Sequence, residues 1–154
     1  MNFVDSHCHM DAYTEKSGVE FDTWWNSVDP KPDALVHVSC EEPTFEYAKK
    51  ISDQYPNVYA SFGVHPLNAD FYNERVEQEL LKLWARPKTV GIGEIGFEYH
   101  YECASHKKQR AVFERQLEIG LPFQKVFVLH LREAEEDSLS VLRNANLKGA
   151  TLHV

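Results

Sequence analysis

Short apolar runs alternate along the whole chain with longer stretches that carry apolar residues at helical spacing. This alternation is typical of βαβ units, in which a helix follows each strand and the strands lie parallel. The runs are almost continuously apolar, as expected for strands that are covered on both faces. The six predicted strands are the opening run from Phe3 and residues 34–40, 58–64, 89–96, 126–129 and 150–154.

Five helices are predicted between these strands, and cap residues mark several of their ends. Pro43 suits the first turn of one helix, and Ser105 is a good N-cap for another, which can close at Gly120. In the last helix, Leu139 and Leu142 are expected to face the core. The predicted helices cover residues 21–28, 43–55, about 16 residues from near Ala69, 105–120 and 133–146.

Length and composition fit a single α/β domain over residues 1–154, with 43% apolar residues for a core. No apolar run approaches the ~20 residues of a membrane span, and no secretion signal is visible, so no membrane partner is expected. Three widely spaced cysteines form no zinc or disulfide framework, which indicates thiols in a reducing, cytoplasmic compartment. A net charge of −8 argues against a broad basic face for nucleic acid, although metal ions can supply positive charge locally.

Histidines and one glutamate fall at or near the carboxyl ends of five predicted strands. In a parallel (β/α) barrel these ends converge on one mouth, which is where active sites form. Any one of these histidines could be a hydrogen-bonded core residue. Their repetition at successive strand ends instead favours a shared site for Zn, Mn or similar ions. The residues are His7, His9, His65, Glu94, His130 and His153.

Five short motifs run through the chain: Val-Asp-Ser-His-Cys-His at 4–9, Gly-Val-His-Pro at 63–66, Gly-Ile-Gly-Glu-Ile-Gly at 91–96, Gln-Leu at 116–117 and His-Leu-Arg-Glu-Ala at 130–134. In this order and spacing the sequence resembles the TatD family of metal-dependent deoxyribonucleases, in the amidohydrolase-like superfamily. The resemblance covers residues 3–154. It implies a TIM (β/α)8-type barrel, of which strands 1–6 are present, and a site for two divalent ions (Mg, Mn or Zn).

The resemblance also implies a role for each candidate ligand. His7 and His9 would bind one ion, Glu94 would bridge both ions as the catalytic carboxylate, and His130 and His153 would bind the second ion. A shared carboxylate offsets the repulsion between two dications ~3.5–4 Å apart. Such a pair can activate water and stabilise the attacking and leaving oxygens of a phosphodiester. The expected function is therefore hydrolysis of phosphodiester bonds, with DNA ends or another phosphodiester as substrate.

Two further residues are predicted to bind substrate. Arg132 lies two residues after His130, so its guanidinium should share that face and could clamp a phosphate through paired hydrogen bonds. The alternative for Arg132 is a solvated ion pair with a nearby glutamate. His65 could contact phosphate, as the Gly-Val-His-Pro motif of the family suggests, or it could only orient the third strand. Glu98 stands where the family often has aspartate, which indicates altered substrate contacts.

The pattern breaks at the end of the chain. A full eight-stranded barrel needs about 250 residues, whereas this sequence supplies six strands and five predicted helices. No residue here can take the role of the family's later aspartate, which completes the first metal site. Three explanations compete: a truncated product of a full-length enzyme, which we favour; a degenerate relative without activity; or an oligomer that covers the exposed sheet edges.

Two other functions stay open. One is an amidohydrolase-type hydrolase of small amides, lactones or phosphotriesters on the same barrel. Many such relatives carry a carboxylated lysine at the end of the fourth strand, and Glu94 at that position favours the nuclease branch. The other is a non-catalytic remnant that still binds metal, which the absent aspartate supports. Oligomeric state is not predicted by the sequence.

Overall fold

A computed structural model describes residues 3–147 and 149–154, and within these residues the chain forms six β-strands and six α-helices. The strands are β1 (Val4–Cys8), β2 (Ala34–Ser39), β3 (Val58–Phe62), β4 (Thr89–Glu98), β5 (Val126–Arg132) and β6 (Leu152–His153). The helices are α1 (Met10–Ser17), α2 (Phe21–Ser27), α3 (Glu42–Gln54), α4 (Glu74–Trp84), α5 (His106–Gly120) and α6 (Glu135–Asn144). Short 3-10 helices, Pro66–Phe71 and Leu121–Phe123, follow β3 and α5.

All six described strands form one parallel sheet in the order β1-β2-β3-β4-β5-β6. Each strand therefore pairs with its neighbours in the sequence, as a series of βα units requires. The rings of His7 on β1 and His153 on β6 lie only 6.1 Å apart, although these strands are at opposite edges of the sheet. The sheet is therefore strongly curled, and the predicted α/β fold of TIM-barrel type, with strands 1–6 present, is confirmed.

The main core lies between the central strands and the helices that cover them. Trp84 of α4 is fully buried and donates its indole N–H to the carbonyl oxygen of Phe62 at 2.8 Å. A second cluster forms around α2, where the rings of Phe21 and Trp25 stack at 5.7 Å. Among the described residues, no helix is long and apolar enough to cross a membrane.

The helix predicted to begin near Ala69 begins instead at Glu74. The side-chain oxygen of Asn73 accepts a hydrogen bond from the backbone N–H of Val76, which makes Asn73 the N-cap. Residues before it form the 3-10 helix Pro66–Phe71, which His65 caps through its ring. The predicted start was wrong because Ala69 belongs to this separate turn.

Two features of other helices also differ from the sequence prediction. Helix α1 was not predicted, and it follows β1 after a single residue, His9. In α6, Leu139 is 49% exposed, so the prediction that it faces the core was wrong. The helix is rotated so that Ser138 and Val141 are buried instead. Strand β4 continues two residues past its predicted end and thereby buries Glu98.

Two glycines of β4 allow β5 to approach unusually closely. Gly93 and Gly96 have φ angles of +149° and +144°, which are strained for any residue with a side chain. A Cβ at Gly96 would lie 2.1 Å from the carbonyl oxygen of His130, and one at Gly93 would lie 2.2 Å from that of Val128. This close contact brings the strands together at the point where Glu94 and His130 meet.

We expect Gly96→Ala to destabilise the fold by about 3 kcal/mol or more, because the new Cβ meets backbone atoms in a region of φ/ψ space nearly restricted to glycine. Gly18→Ala is the matched control. Gly18 also has a positive φ, of 69°, but a Cβ there meets no atom within 4 Å. It should therefore cost only about 1–2 kcal/mol. Urea unfolding followed by tryptophan fluorescence measures both variants, and equal losses would contradict the role given to Gly96.

Candidate metal centre

The carboxyl ends of β1 and β5 place histidines around the carboxylate of Glu94, which lies within β4. His7 lies in β1, His9 follows it directly, and His130 lies near the end of β5. The described residues contain two groups of three potential ligand atoms. Within each group, the three atoms all lie within 4.8 Å of one another. The first group is His7, His9 and Glu94, and the second is His65, Glu94 and His130. Glu94 is shared by both groups.

In the first group, three donor atoms converge on one point. The Nε2 atoms of His7 and His9 lie 3.2 Å apart, and they lie 3.4 and 3.7 Å from Oε2 of Glu94. In a tetrahedral site with metal–nitrogen bonds of about 2.0–2.1 Å, neighbouring ligand atoms lie about 3.3–3.4 Å apart. The spacing of these three atoms therefore fits the ligand shell of a transition-metal ion.

The ring of His9 is held in the tautomer that a metal requires. Its Nδ1 lies 2.9 Å from the carbonyl oxygen of Val38 on the neighbouring strand. A carbonyl oxygen only accepts hydrogen bonds, so Nδ1 must carry the proton and donate it. The other ring nitrogen, Nε2, then presents its lone pair to the site.

In the second group, Glu94 uses its other oxygen. Oε1 lies 3.1 Å from Nδ1 of His130, whereas Oε2 serves His7 and His9. Burial would raise the pKa of Glu94, but hydrogen bonds from His130 and His7 outweigh it and hold that pKa well below its usual range. The carboxylate is therefore ionised and offers one oxygen to each histidine group.

His65 is oriented by the backbone that follows it. The N–H of Leu67 donates to Nδ1 of His65 at 3.1 Å, so this nitrogen is unprotonated. The side chain is buried, and its ring centre lies 4.2 Å from that of His130. Burial and the neighbouring His130 lower the pKa of His65 to about 4, so the ring is neutral at pH 7. Because Nδ1 of this neutral ring is the acceptor, the ring proton lies on Nε2.

The two remaining candidates, His153 and Arg132, are outside both ligand groups. His153 belongs to neither group of three, and its ring lies 6.1 Å from that of His7, on the opposite edge of the curled sheet. Its predicted place beside His130 as a ligand of the second ion stays a prediction. Arg132 is exposed, and its guanidinium carbon lies 4.8 Å from the ring centre of Tyr101.

Glu98 is 1% exposed, and no structural role for it was predicted from the sequence. Its Oε2 lies 2.9 Å from Nε2 of His130, and its Oε1 accepts hydrogen bonds from the backbone N–H groups of His100 and Tyr101 at 2.8 and 3.2 Å. A signal was present in the sequence, because residues 94, 96 and 98 of one strand share a face. The prediction that β4 ends at Gly96 hid that relation.

Cys40 also borders the site, although the sequence indicated only an idle thiol. It directly follows β2, and its Sγ lies 3.7 Å from Oε2 of Glu94. Burial, together with the charge of Glu94, raises the pKa of the Cys40 thiol, so the group is neutral at pH 7. Its position after the strand is the same signal that singled out the histidines.

The donor set as a whole suits a divalent transition metal. It combines imidazole nitrogens with a carboxylate, a mixture that Zn and Mn accept well and that differs from the all-oxygen shells of Ca and Mg. The converging ring nitrogens of the first group and the shared carboxylate both fit bound cations. The side chains of this chain therefore fit the metal ions that the strand-end pattern predicts.

A family profile described as TatD related DNase matches residues 4–154. The chain belongs to this family. The resemblance drawn from the five motifs is thereby confirmed.

Several relatives illustrate the match. The human 3'-5' RNA nuclease TATDN2 is 32% identical over 151 residues, which is 92% of this chain and 20% of that protein. The 3'-5' ssDNA/RNA exonuclease TatD of Escherichia coli K12 is 29% identical over 110 residues, which is 70% of this chain and 42% of that protein. The uncharacterized metal-dependent hydrolase YabD of Bacillus subtilis is 28% identical, over 97% of this chain and 59% of that protein.

A solved structure supports the same fold. The crystal structure of YjjV, a TatD homologue of Escherichia coli K12, matches 96% of this chain with a TM-score of 0.77 at 20% sequence identity. The match covers 57% of that chain. This chain thus spans between about a fifth and three fifths of the length of these relatives.

We expect Glu94→Ala to weaken binding of Mn²⁺ or Zn²⁺ at least ~100-fold, because Glu94 supplies the oxygen of both ligand groups and removing even outer partners of ligands costs ~10–100-fold. Isothermal titration of metal into the chelator-treated chain measures the affinity. Glu46→Ala removes an exposed carboxylate of α3 and should leave the affinity unchanged. Wild-type affinity in the Glu94 variant would contradict a metal centre at this place.

Proposed function

We propose that this chain carries the metal-binding part of a divalent-metal-dependent phosphodiesterase that acts on nucleic-acid ends. The observation that carries the proposal is the position of Glu94, whose two oxygens face two separate histidine groups. A carboxylate in that position suits two ions, with His7 and His9 on one side and His130 on the other. The names of the relatives TATDN2 and TatD, which describe 3'-5' nucleases, support nucleic acid as the substrate class.

Two bound ions would supply a water of lowered pKa and positive charge for the phosphate oxygens. Of the metals considered, Zn and Mn suit the histidine-rich donors better than Mg does. We assign His153 to the second ion with Glu94 and His130, on the strength of the family resemblance. His153 lies on β6, and its Cα is paired with that of Val128 on β5. This pairing supports a position near the same end of the sheet as His130.

We assign His65 to the substrate rather than to a metal. Since Leu67 donates to Nδ1, the proton of the neutral ring lies on Nε2, which then has no lone pair for a cation. An N–H at this position can donate to a phosphate oxygen. Arg132, exposed at the end of β5 beside Tyr101, would hold a second phosphate through its planar guanidinium. Its guanidinium carbon lies 4.8 Å from the centre of the Tyr101 ring.

Two broader parts of the proposal concern organisation and location. We propose that residues 1–154 act as one domain, because the main core extends from α3 to α6 and the second cluster includes Leu35 of β2, a strand of the same sheet. We propose a cytoplasmic location, which the free thiols of Cys8, Cys40 and Cys103 support. Fractionation of cells that produce the tagged chain tests the location.

We expect the 154-residue chain to shorten a 5'-labelled single-stranded oligonucleotide of DNA or RNA when Mn²⁺ or Mg²⁺ is present, and Glu94→Ala to abolish the cleavage. A ladder of products resolved on a gel measures the activity and its direction. Metal binding without any cleavage by the folded chain would identify a non-catalytic remnant. Hydrolysis of a lactone or phosphotriester, but not of the oligonucleotide, would favour the amidohydrolase alternative.

We expect His65→Ala and Arg132→Ala each to lower kcat/KM about 10- to 100-fold, because a hydrogen bond to a charged group is worth about 1.5–3 kcal/mol. Neither variant should change the affinity for metal, which separates a substrate contact from a ligand. Arg143→Ala, which removes an exposed arginine of α6, is the control for Arg132. A large loss of metal affinity in His65→Ala would overturn the role given to that histidine.

A further inference from the structure

We propose that Glu98 is a positioning residue that fixes the ring of His130, turning its Nδ1 toward Glu94 and the metal position, and that ties the loop of residues 99–105 to that ring. The inference rests on the proposed metal site and deepens it. It concerns the orientation of one ligand, His130. Its test measures the affinity for Zn²⁺ and the protonation of the His130 ring rather than cleavage.

Both ring nitrogens of His130 face a carboxylate. Nδ1 lies 3.1 Å from Oε1 of Glu94, and Nε2 lies 2.9 Å from Oε2 of Glu98. An ionised carboxylate only accepts hydrogen bonds, so without a metal both nitrogens carry protons, and Nδ1 donates to Glu94 while Nε2 donates to Glu98. A cation beside Glu94 would take the place of the Nδ1 proton, whereas Nε2 would keep its hydrogen bond to Glu98. Nδ1 is then the only nitrogen of His130 that can give a lone pair to a cation beside Glu94. The arrangement is a carboxylate–histidine–metal series, in which the outer carboxylate sets the tautomer and makes the ligand more basic.

Every hydrogen bond made by the carboxylate of Glu98 requires it to be an acceptor. Its Oε1 accepts from the backbone N–H groups of His100 and Tyr101, while its Oε2 accepts from His130. The residue is 1% exposed, so bulk water cannot replace a partner that is lost. Three donors around one buried carboxylate thus define both its charge and its orientation.

The backbone of Glu98 is also held in place. The side-chain oxygen of Gln109 accepts from the N–H of Glu98 at 2.9 Å, and the side-chain nitrogen of Gln109 donates to its carbonyl oxygen at 3.0 Å. Gln109 is itself buried on α5. Because backbone and carboxylate are both fixed, Glu98 can hold the imidazole of His130 at one angle.

The same carboxylate connects the metal ligand to the substrate side of the site. The backbone N–H groups of His100 and Tyr101, which donate to Glu98, belong to the loop of residues 99–105. In the same loop, the ring of Tyr101 lies against Arg132. Glu98 and Arg132 are also paired across β4 and β5. A ring of His130 held in place by Glu98 is therefore coupled to the placement of Tyr101 and Arg132.

Glutamine at position 98 cannot satisfy this environment, although it has the same shape. If its amide nitrogen faces His130, it meets the Nε2–H as donor against donor. The ring is then pushed toward the other tautomer, with its proton on Nδ1. If its amide nitrogen faces the loop, it meets the N–H groups of His100 and Tyr101 as donor against donor. Either orientation loses a hydrogen bond that Glu98 makes.

The test uses the 154-residue chain labelled with ¹⁵N-histidine and loaded with Zn²⁺, which is diamagnetic. His130→Ala assigns the ring signals. We expect ¹H–¹⁵N spectra of the wild-type chain to contain a protonated Nε2 on His130, with Nδ1 bound to zinc. A zinc-bound Nε2 on His130 would overturn the proposal without any variant. Failure of the chain to bind Zn²⁺ at all would overturn it together with the proposed function.

The variants supply the second measurement. We expect Glu98→Gln to weaken Zn²⁺ binding about 10- to 100-fold, as loss of a ligand's outer partner does, and to expose the amides of His100 and Tyr101 to faster hydrogen exchange. Glu133→Gln is the matched control, because Glu133 is also paired with a histidine, Nδ1 of His100 at 2.7 Å, but is exposed. It should bind Zn²⁺ as the wild type does. Wild-type affinity in Glu98→Gln would overturn the proposal, whatever the chain does to oligonucleotides.

Discussion

The carboxylate of Glu94 is the group on which the arrangement of this site depends, since it stands between histidines from β1 and from β5 and gives one oxygen to each side. A buried carboxylate is costly to ionise unless it is paired with donors or cations. The imidazoles of His7 and His130 meet that requirement in the protein itself. Bound cations would meet it more fully than these hydrogen bonds do.

This meeting of side chains is possible only because β4 and β5 lie unusually close. Gly93 and Gly96 remove the side chains that would collide with carbonyl oxygens of β5. The curl of the sheet then brings His7 and His153, from opposite edges, to within 6.1 Å of each other. The close backbone packing of β4 and β5 therefore helps the ligand atoms to converge.

Backbone groups decide which ring nitrogen carries the proton in His9 and in His65. Val38 sets the tautomer of His9 through its carbonyl oxygen, and Leu67 sets that of His65 through its N–H. The two rings consequently differ in chemistry: one presents a lone pair and the other a proton. A histidine at a strand end can therefore be a metal ligand or a hydrogen-bond donor, and the neighbouring backbone determines which.

The sequence by itself determined the order of the six strands and of α2 to α6, the parallel sheet and the histidines that follow strands, because periodicity and strand-end position are local properties of the chain. It missed α1. It misplaced the start of α4 and the inward face of α6, where caps and rotation depend on neighbouring elements. Only the tertiary structure decided which atoms meet. Glu98 reaches His130 because β4 runs on past Gly96 and β5 packs against it. That pairing, like the contact with Val38 that sets the tautomer of His9, joins residues far apart in sequence, and no local pattern encodes such contacts.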